Sequence, residues 1–278
     1  MTGLLPRLHA VTDDRVVARG DLVERTAALA AAAGARLAVH VRTRALGGAA
    51  LLDLARRVGA VLEPHGSWLV VNDRVEIARA ARARAVQLGR GSLAVRDVRR
   101  IAPDLAAGRS VHDVAEAAAA AAEGADYLVA GPVLATASHP AVPGAGPGLV
   151  RAAAGAAGGL PVIAIGGMTP ETAAAVREAG AWGVAAVRAL WDAPDPGAAA
   201  RAFVAALPDG AGVAVTVNGE PRTVPEGTTL RGLLAQLALD PRAVVVEHNR
   251  RIVRRDALER AALAAGDAVE LVHFVGGG

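Results

Sequence analysis

The feature that most constrains this 278-residue chain is a repeated alternation, in which short apolar runs are separated by alanine-rich stretches of helical periodicity. Eight such runs fall within residues 1–207: Leu8 to Thr12, Leu37 to Arg42, Trp68 to Val71, Ala85 to Leu88, Arg109 to Val111, Asp126 to Ala130, Pro161 to Ile165 and Gly183 to Val187. Between them lie helical stretches such as Asp21 to Ala33, Gly48 to Val58, Arg74 to Ala83, His112 to Glu123, Glu171 to Ala179 and Gly197 to Ala206. Strands that alternate with helices predict a parallel sheet, because each return connection must cross a sheet face. Eight units of this length predict a compact (β/α)8 TIM barrel of the α/β class. A Rossmann-type open sheet is the weaker alternative, since no GxGxxG follows the first strand.

One connection stands out chemically. At Ile165-Gly166-Gly167-Met168-Thr169-Pro170 an apolar run ends in two glycines and turns directly into a helix. Such a turn leaves backbone N–H groups uncovered, which suits a bound phosphate. The next run, Gly183 to Val187, is followed at once by Arg188. In an eight-stranded barrel the last two strand-end loops are a common phosphate grip. Gly166, Gly167, Val187 and Arg188 are therefore expected to bind phosphate.

Composition removes several chemistries. All 30 basic residues are arginine, and there is no lysine or cysteine. Schiff-base, Walker-lysine, thiolate and disulfide chemistry are thus excluded for this chain. The sequence pI of about 10.6 accompanies a formal charge of only +3, because almost nothing titrates between neutrality and arginine. With aromatics at 2%, a base-stacking nucleic-acid platform is not expected. No apolar run is long enough to cross a bilayer, and Met1 to Arg7 lacks a signal-peptide pattern, so the expected location is cytoplasmic with no membrane partner.

The character of the chain changes after Leu207. Residues 208–212, Pro-Asp-Gly-Ala-Gly, read as a linker. Behind it Val213 to Val217 meets Asn218-Gly219, a strong hairpin signal. Glu226-Gly227-Thr228-Thr229 then introduces a helix through Leu237, with Thr228 the expected N-cap, and strands are expected at Ala243 to Glu247 and Ala268 to Phe274. Hairpin, helix, further strands and a terminal Gly276-Gly277-Gly278 predict a small α+β β-grasp (ubiquitin-like) domain over 213–278 after a barrel over 1–207.

Two resemblances sharpen this reading. The segment Val215-Thr216-Val217-Asn218-Gly219-Glu220, the Pro225-Glu226-Gly227-Thr228-Thr229-Leu230 helix entry, the Gly266-Asp267 turn and the terminal glycines resemble the thiamine-pathway sulfur carrier (ThiS-like). That resemblance implies a thiocarboxylate at Gly278, with Gly277 beside it, formed by an adenylating activating enzyme and a sulfur donor such as a cysteine desulfurase, and delivered to thiazole synthase. Glycine suits such a tail because a chain without Cβ threads a narrow site. Residues 1–207 resemble the thiamine phosphate synthase superfamily, which includes the thiazole tautomerase (TenI-like) branch. The matching pieces are Thr12-Asp13, Val41-Arg42-Thr43-Arg44, Val71-Asn72-Asp73-Arg74, Gln87-Leu88-Gly89, Ser110-Val111-His112, Gly124 to Tyr127, Gly131-Pro132-Val133 through Thr136, and Ile163 to Thr169.

The departures from the synthase pattern bear on activity. The resemblance implies Arg-Glu-Lys after strand 2 and a second metal carboxylate after strand 4; here stand Arg42-Thr43-Arg44 and Gly89-Arg90-Gly91-Ser92. Asn72-Asp73 survives after strand 3. After strand 6 the chain reads Thr136-Ala137-Ser138-His139-Pro140, which resembles the tautomerase branch more than Thr-x-Thr-Lys. The favoured expectation is therefore a metal-free tautomerase acting on a thiazole phosphate carboxylate. His139 is its acid/base group, although the tautomerase slot after the strand-6 glycine is Pro132; Arg42 assists, and His40 is the runner-up. Arg44, Asn72, Asp73, Ser110, Thr136 and Ser138 complete the expected substrate and phosphate site. The alternative is thiamine phosphate synthase, which joins hydroxymethylpyrimidine diphosphate to thiazole phosphate and releases diphosphate, with Mg2+ on Asp73. A third reading is an inactive barrel that tethers the carrier. His112 is expected to be structural, and His9, His65, His248 and His273 carry no argument from sequence.

Overall fold

The computed structural model describes residues 5–136, 143–208, 212–224, 228–237, 239–258 and 261–273. It forms two compact units, Leu5–Leu207 and the segment from Pro208 onward.

The first unit is a closed barrel of eight parallel strands in sequence order: β1 (Leu8–Val11), β2 (Leu37–Val41), β3 (Trp68–Asn72), β4 (Ala85–Leu88), β5 (Ala106–Val111), β6 (Tyr127–Ala130), β7 (Val162–Ile165) and β8 (Gly183–Ala186). β1 pairs with both β2 and β8, Leu8 lying opposite Leu37 on one side and Val184 on the other. That closure removes the open-sheet alternative. β5 begins at Ala106, three residues before the expected start, because the alanines of Ala106-Ala107-Gly108 are too small to register as an apolar run.

The strands read as continuous apolar runs because both faces are covered. Leu8, Ala10, Leu37, Val39 and Val41 point outward into the shell beneath the helices. Val11, Ala38, Trp68, Val70, Tyr127, Val129 and Ile163 fill the barrel itself. The helix Gly48–Leu62 shows how the shell is built: Leu51, Leu54, Ala55, Val58 and Leu62 are its buried stripe at helical spacing. Asp13, Asp113, Thr169 and Asp195 start their helices by accepting a backbone N–H three residues on. Among the described residues four helices lie outside the stretches named from sequence, Asp14–Ala18, Val95–Ile101, Pro147–Ala156 and Arg188–Trp191.

The second unit is a five-stranded sheet in the order β10-β9-β13-β11-β12, with β9 (Val213–Val217), β10 (Glu220–Val224), β11 (Val244–His248), β12 (Arg251–Val253) and β13 (Ala268–His273). Asn218 and Gly219 both take positive φ, 50° and 79°, as the two-residue hairpin requires. The helix Leu230–Gln236 buries Leu230, Leu233 and Leu234 against Val215, Val217, Val246, Val269 and Leu271. Its capping residue is Thr229, whose Oγ1 accepts from Gly232 N–H, rather than the expected Thr228. β12 was not expected, because Arg251-Ile252-Val253 sits among four arginines and carries a single large apolar pair.

His248, which carried no argument in the sequence, ties this sheet together. Asp267 accepts from Asn249 Nδ2 and Ala264 N–H at 2.7 and 2.9 Å, and its other contact is His248 Nε2 at 2.7 Å. Burial pushes the Asp267 carboxyl up, but these partners outweigh it and hold the group below its ordinary 3.8. The stability this gives is present above pH 3.8 and lost as acid titrates the group through its folded-state value. Acid unfolding of the second unit, followed by NMR of its amides, is expected to move to higher pH than the wild type if the network is the cause and Asn249 is replaced by alanine.

Candidate active site at the barrel mouth

The chemistry-bearing side chains gather at the C-terminal ends of the strands. Thr12, just after β1, is fully buried, and its Oγ1 accepts from Arg42 N–H and donates to Arg42 C=O, each at 2.8 Å. This bracket fixes the backbone at the end of β2 and with it the half-buried Arg42. Asp14 completes the loop by accepting from Thr43 Oγ1, Arg44 N–H (2.7 Å) and Ala45 N–H (3.3 Å). The Thr43 hydroxyl and the Arg44 N–H hold its carboxyl below the usual range, with Arg42 contributing through charge. Arg44 is exposed.

Asn72 closes β3 and sits opposite Gln87 of β4. Asp73 follows with φ of 63°, and it does not cap the next helix. Its Oδ1 instead accepts from Gly89 N–H at 3.2 Å and from the Ser92 hydroxyl, joining the β3 and β4 loops. Arg90 turns away to Glu116, at 2.9 Å. Although burial pushes Glu116 up, His112 and Arg90 together hold it at about 2. His112 Nδ1 lies 2.9 Å from that same carboxylate. Ser110 of β5 accepts from Gln87 Nε2 at 3.0 Å.

The loops after β6 and β7 lie on one another. Val133 N–H donates to Ile165 C=O at 2.8 Å and Leu134 N–H to Gly166 C=O at 3.1 Å. Gly166 has φ of 106°, and a Cβ there would sit 2.9 Å from Pro132 Cα, so the close approach and the backbone both demand glycine. Among the described residues neither Gly166 N–H nor Gly167 N–H has a hydrogen-bond acceptor. Arg188 follows the adjacent strand, β8 pairing with β7 through Ile165 and Ala185, and is exposed. Val187 precedes it at the turn, accepting from Trp191 N–H at 2.9 Å. Gly166, Gly167, Val187 and Arg188 are therefore brought to one side of the mouth. Thr136 is described, and the β6 loop is described again from residue 143; His139 and Ser138 lie outside the described residues, as do Gly277 and Gly278.

His40 does not sit at the mouth as an acid/base group would. It is 1% exposed inside the barrel, and burial, with His9 beside it, lowers its pKa well below the ordinary value. Its ring is therefore neutral at physiological pH. Sequence reasoning missed His9, fully buried and bonded through Nδ1 to His40 Nε2 at 2.8 Å. The available signal was parity: His9 and His40 both stand at inward positions of neighbouring strands.

The donor set fits a resident magnesium ion poorly. One oxygen of Asp73 is already engaged by Gly89 and Ser92, and hard cations of this kind take several oxygen ligands. Among the described residues no group of three His, Cys, Asp or Glu side chains is placed to hold a metal.

A parallel barrel with cations, a carboxylate and uncovered N–H groups gathered at the C-terminal ends of its strands is an enzyme-type (β/α)8 barrel. The chain belongs to the thiamine monophosphate synthase (TMP-TENI) family, whose sequence model it matches over residues 8–190, and residues 215–278 match that of the ThiS family. It is 42% identical over 200 residues to a thiamine-phosphate synthase of Methanoculleus marisnigri, covering 70% of this chain and 92% of that one. It is 47% identical over 174 residues to the thiamine biosynthesis bifunctional protein ThiM/ThiE of Symbiobacterium thermophilum, covering 62% of this chain but only 36% of that longer protein. Among solved structures, the thiamine phosphate pyrophosphorylase of Pyrococcus furiosus superposes with a TM-score of 0.63 at 28% identity, over 72% of this chain and 95% of that one. No helix among the described residues is long and apolar enough to cross a membrane.

Proposed function

We propose that the barrel is a thiamine-phosphate synthase, a transferase that joins hydroxymethylpyrimidine diphosphate to thiazole phosphate and releases diphosphate, and that the β-grasp unit is a sulfur carrier for thiazole formation. This reverses the order of the two enzyme readings drawn from sequence. The observation that carries it is the 42% identity to a thiamine-phosphate synthase across 92% of that enzyme, against which the tautomerase reading rests on a loop around His139. The division into 1–207, the linker 208–212 and 213–278, the cytoplasmic location, and partnership of the carrier with an adenylating enzyme, a sulfur donor and thiazole synthase belong to the same proposal.

In this mechanism the carbon–oxygen bond to the diphosphate breaks, a bond from the thiazole nitrogen to that carbon forms, and negative charge grows on the departing oxygens. Fixed cations and donors aimed at those oxygens lower the barrier without reorganising. Arg42, held by the Thr12 bracket, and Arg44 fill that role on one side of the mouth. Gly166 and Gly167 N–H with Arg188 hold the phosphate of the thiazole on the other. Ser110 and Thr136 stand between them as polar wall. Among the described residues Asp73 is not joined by further carboxylate or imidazole side chains in a set of three that could hold magnesium, so no step is assigned to it.

Incubation of the protein with both substrates, with and without Mg2+, is expected to yield thiamine phosphate. If neither condition gives product while the thiazole carboxylate isomerises, the barrel is a tautomerase; if thiazole phosphate does not bind by calorimetry, it is a scaffold. For the carrier, intact mass after incubation with an activating enzyme, ATP and a sulfur source is expected to rise by one sulfur replacing one oxygen, and an unchanged mass removes that half of the proposal.

A further inference from the structure

The barrel interior holds a short chain of polar groups that the proposed mechanism does not use. His9 Nε2 lies 2.9 Å from Pro6 C=O, His9 Nδ1 lies 2.8 Å from His40 Nε2, and the Asn72 amide lies against His40. His9 and His40 are 0% and 1% exposed. Among the described residues two buried atoms at the far end, His40 Nδ1 and Asn72 Oδ1, have no hydrogen-bond partner. A buried polar atom left unpaired loses its hydration without recompense, so a pair of them calls for an explanation.

Counting protons supplies it. Pro6 C=O can only accept, so His9 Nε2 carries a proton. A neutral His9 then accepts at Nδ1, which requires the proton of His40 on Nε2. A neutral His40 is left with a bare Nδ1, an acceptor, and the Asn72 amide that lies against this ring has an unpartnered acceptor of its own, Oδ1. The contact is satisfied in one of two ways. Either the amide turns, giving Nδ2–H to His40 and Oδ1 to the mouth, or the pair takes a third proton, and His40 Nδ1–H donates to Oδ1 while Nδ2 faces the mouth.

We propose that His9 and His40 are positioning residues for Asn72: the protons they hold decide whether the mouth meets an amide acceptor or an amide donor. An anion that accepts from Asn72 Nδ2 therefore draws one proton from solvent onto the pair. The titratable group facing the pair from another strand is Tyr127 of β6, its ring centroid 5.9 Å from that of His9, and burial raises its pKa so that it stays a phenol. Burial also lowers the proton affinity of both histidines, His9 to about 4, so the unliganded pair is neutral at pH 7 and the coupling strengthens on acidification. This inference uses the proposed anion site at the mouth only as the place where its effect is read.

Nitrogen-15 NMR of the imidazole rings in the full chain tests it, with inorganic pyrophosphate as the probe. In the free protein at pH 7 both rings are expected to be neutral with the proton on Nε2; a proton on His40 Nδ1 in the free, neutral pair would overturn the proposal. On addition of pyrophosphate at pH 6, His40 is expected to gain an Nδ1–H signal, and calorimetry in two buffers of different ionisation enthalpy to show proton uptake that His9→Phe abolishes. Should His9→Phe not fold, His40→Gln serves the same comparison. Pyrophosphate bound with unmoved ring signals overturns the coupling. Pyrophosphate that does not bind overturns the anion site instead, and the free-protein tautomers still decide the proposal.

Discussion

Gly183→Ala is expected to destabilise the barrel unit by about 3 kcal/mol or more, the upper end for forcing atoms into a packed interior. Gly183 opens β8, and a Cβ built there would lie 2.1 Å from the carbonyl oxygen of Arg7 and 2.7 Å from its Cα. These are backbone atoms, so no side-chain rotation relieves the overlap. The strain falls on the seam that closes the barrel, since Val184 N–H donates to that same Arg7 carbonyl at 2.8 Å. Just below, Arg7 stacks 4.1 Å over Trp182 and donates to its carbonyl at 2.8 Å. For a unit of this size the loss corresponds to a fall in Tm of roughly 6–12 °C. Gly155→Ala, in the helix Pro147–Ala156 with open space around its Cβ position, is the control and is expected to stabilise by about 0.5–1 kcal/mol. Differential scanning calorimetry of the two variants separates close approach from glycine's general entropy. Equal and small effects would show that the seam yields.

Arg42→Ala is expected to lower kcat/KM for thiamine phosphate formation by about 10²–10³-fold, the scale on which single fixed donors to developing negative charge act. Arg42 is the half-buried cation of the mouth, and Thr12 holds its backbone from both sides. A loss concentrated in kcat marks stabilisation of the departing diphosphate, whereas a rise in KM alone marks ground-state binding. Arg42→Lys is expected to recover only part of the activity, because an ammonium lacks the planar two-pronged donor set. Thr12→Val is expected to give a smaller defect in the same parameter, since it removes both backbone bonds while leaving the guanidinium. If Arg42→Ala leaves kcat/KM within a few-fold, the leaving group is stabilised elsewhere.

Much of the fold was legible because its elements announce themselves locally. Runs such as Val162 to Ile165 are apolar on both faces, and the Asn218-Gly219 turn dictates a hairpin from its own backbone preferences. Elements with weak local signals were missed. Val95–Ile101 carries three arginines in seven residues, and β12 is a three-residue strand, arginine-flanked, that pairs with β11 across the two-residue turn Asn249-Arg250. Site residues divide in the same way. Gly166, Gly167 and Arg188 were placed by the strand–turn pattern, and the structure brings them to adjacent strand ends. Asp73 was expected in the substrate and phosphate site, with Mg2+ on it in the synthase reading; its use as the acceptor for Gly89 and Ser92 depends on a neighbouring loop.

By itself the sequence determined most of the segments that become strands and helices and which strand ends carry glycine or arginine, because these follow from periodicity and turn chemistry within a few residues. Only the tertiary structure decided the states of the side chains that meet inside the barrel. His9 and His40 are 31 positions apart in the chain, yet they stand 2.8 Å apart and share one proton path with Pro6. Whether an imidazole is a base at the surface or a neutral link in a buried chain is set by the water it has lost and the partners it has gained, and both belong to the folded molecule.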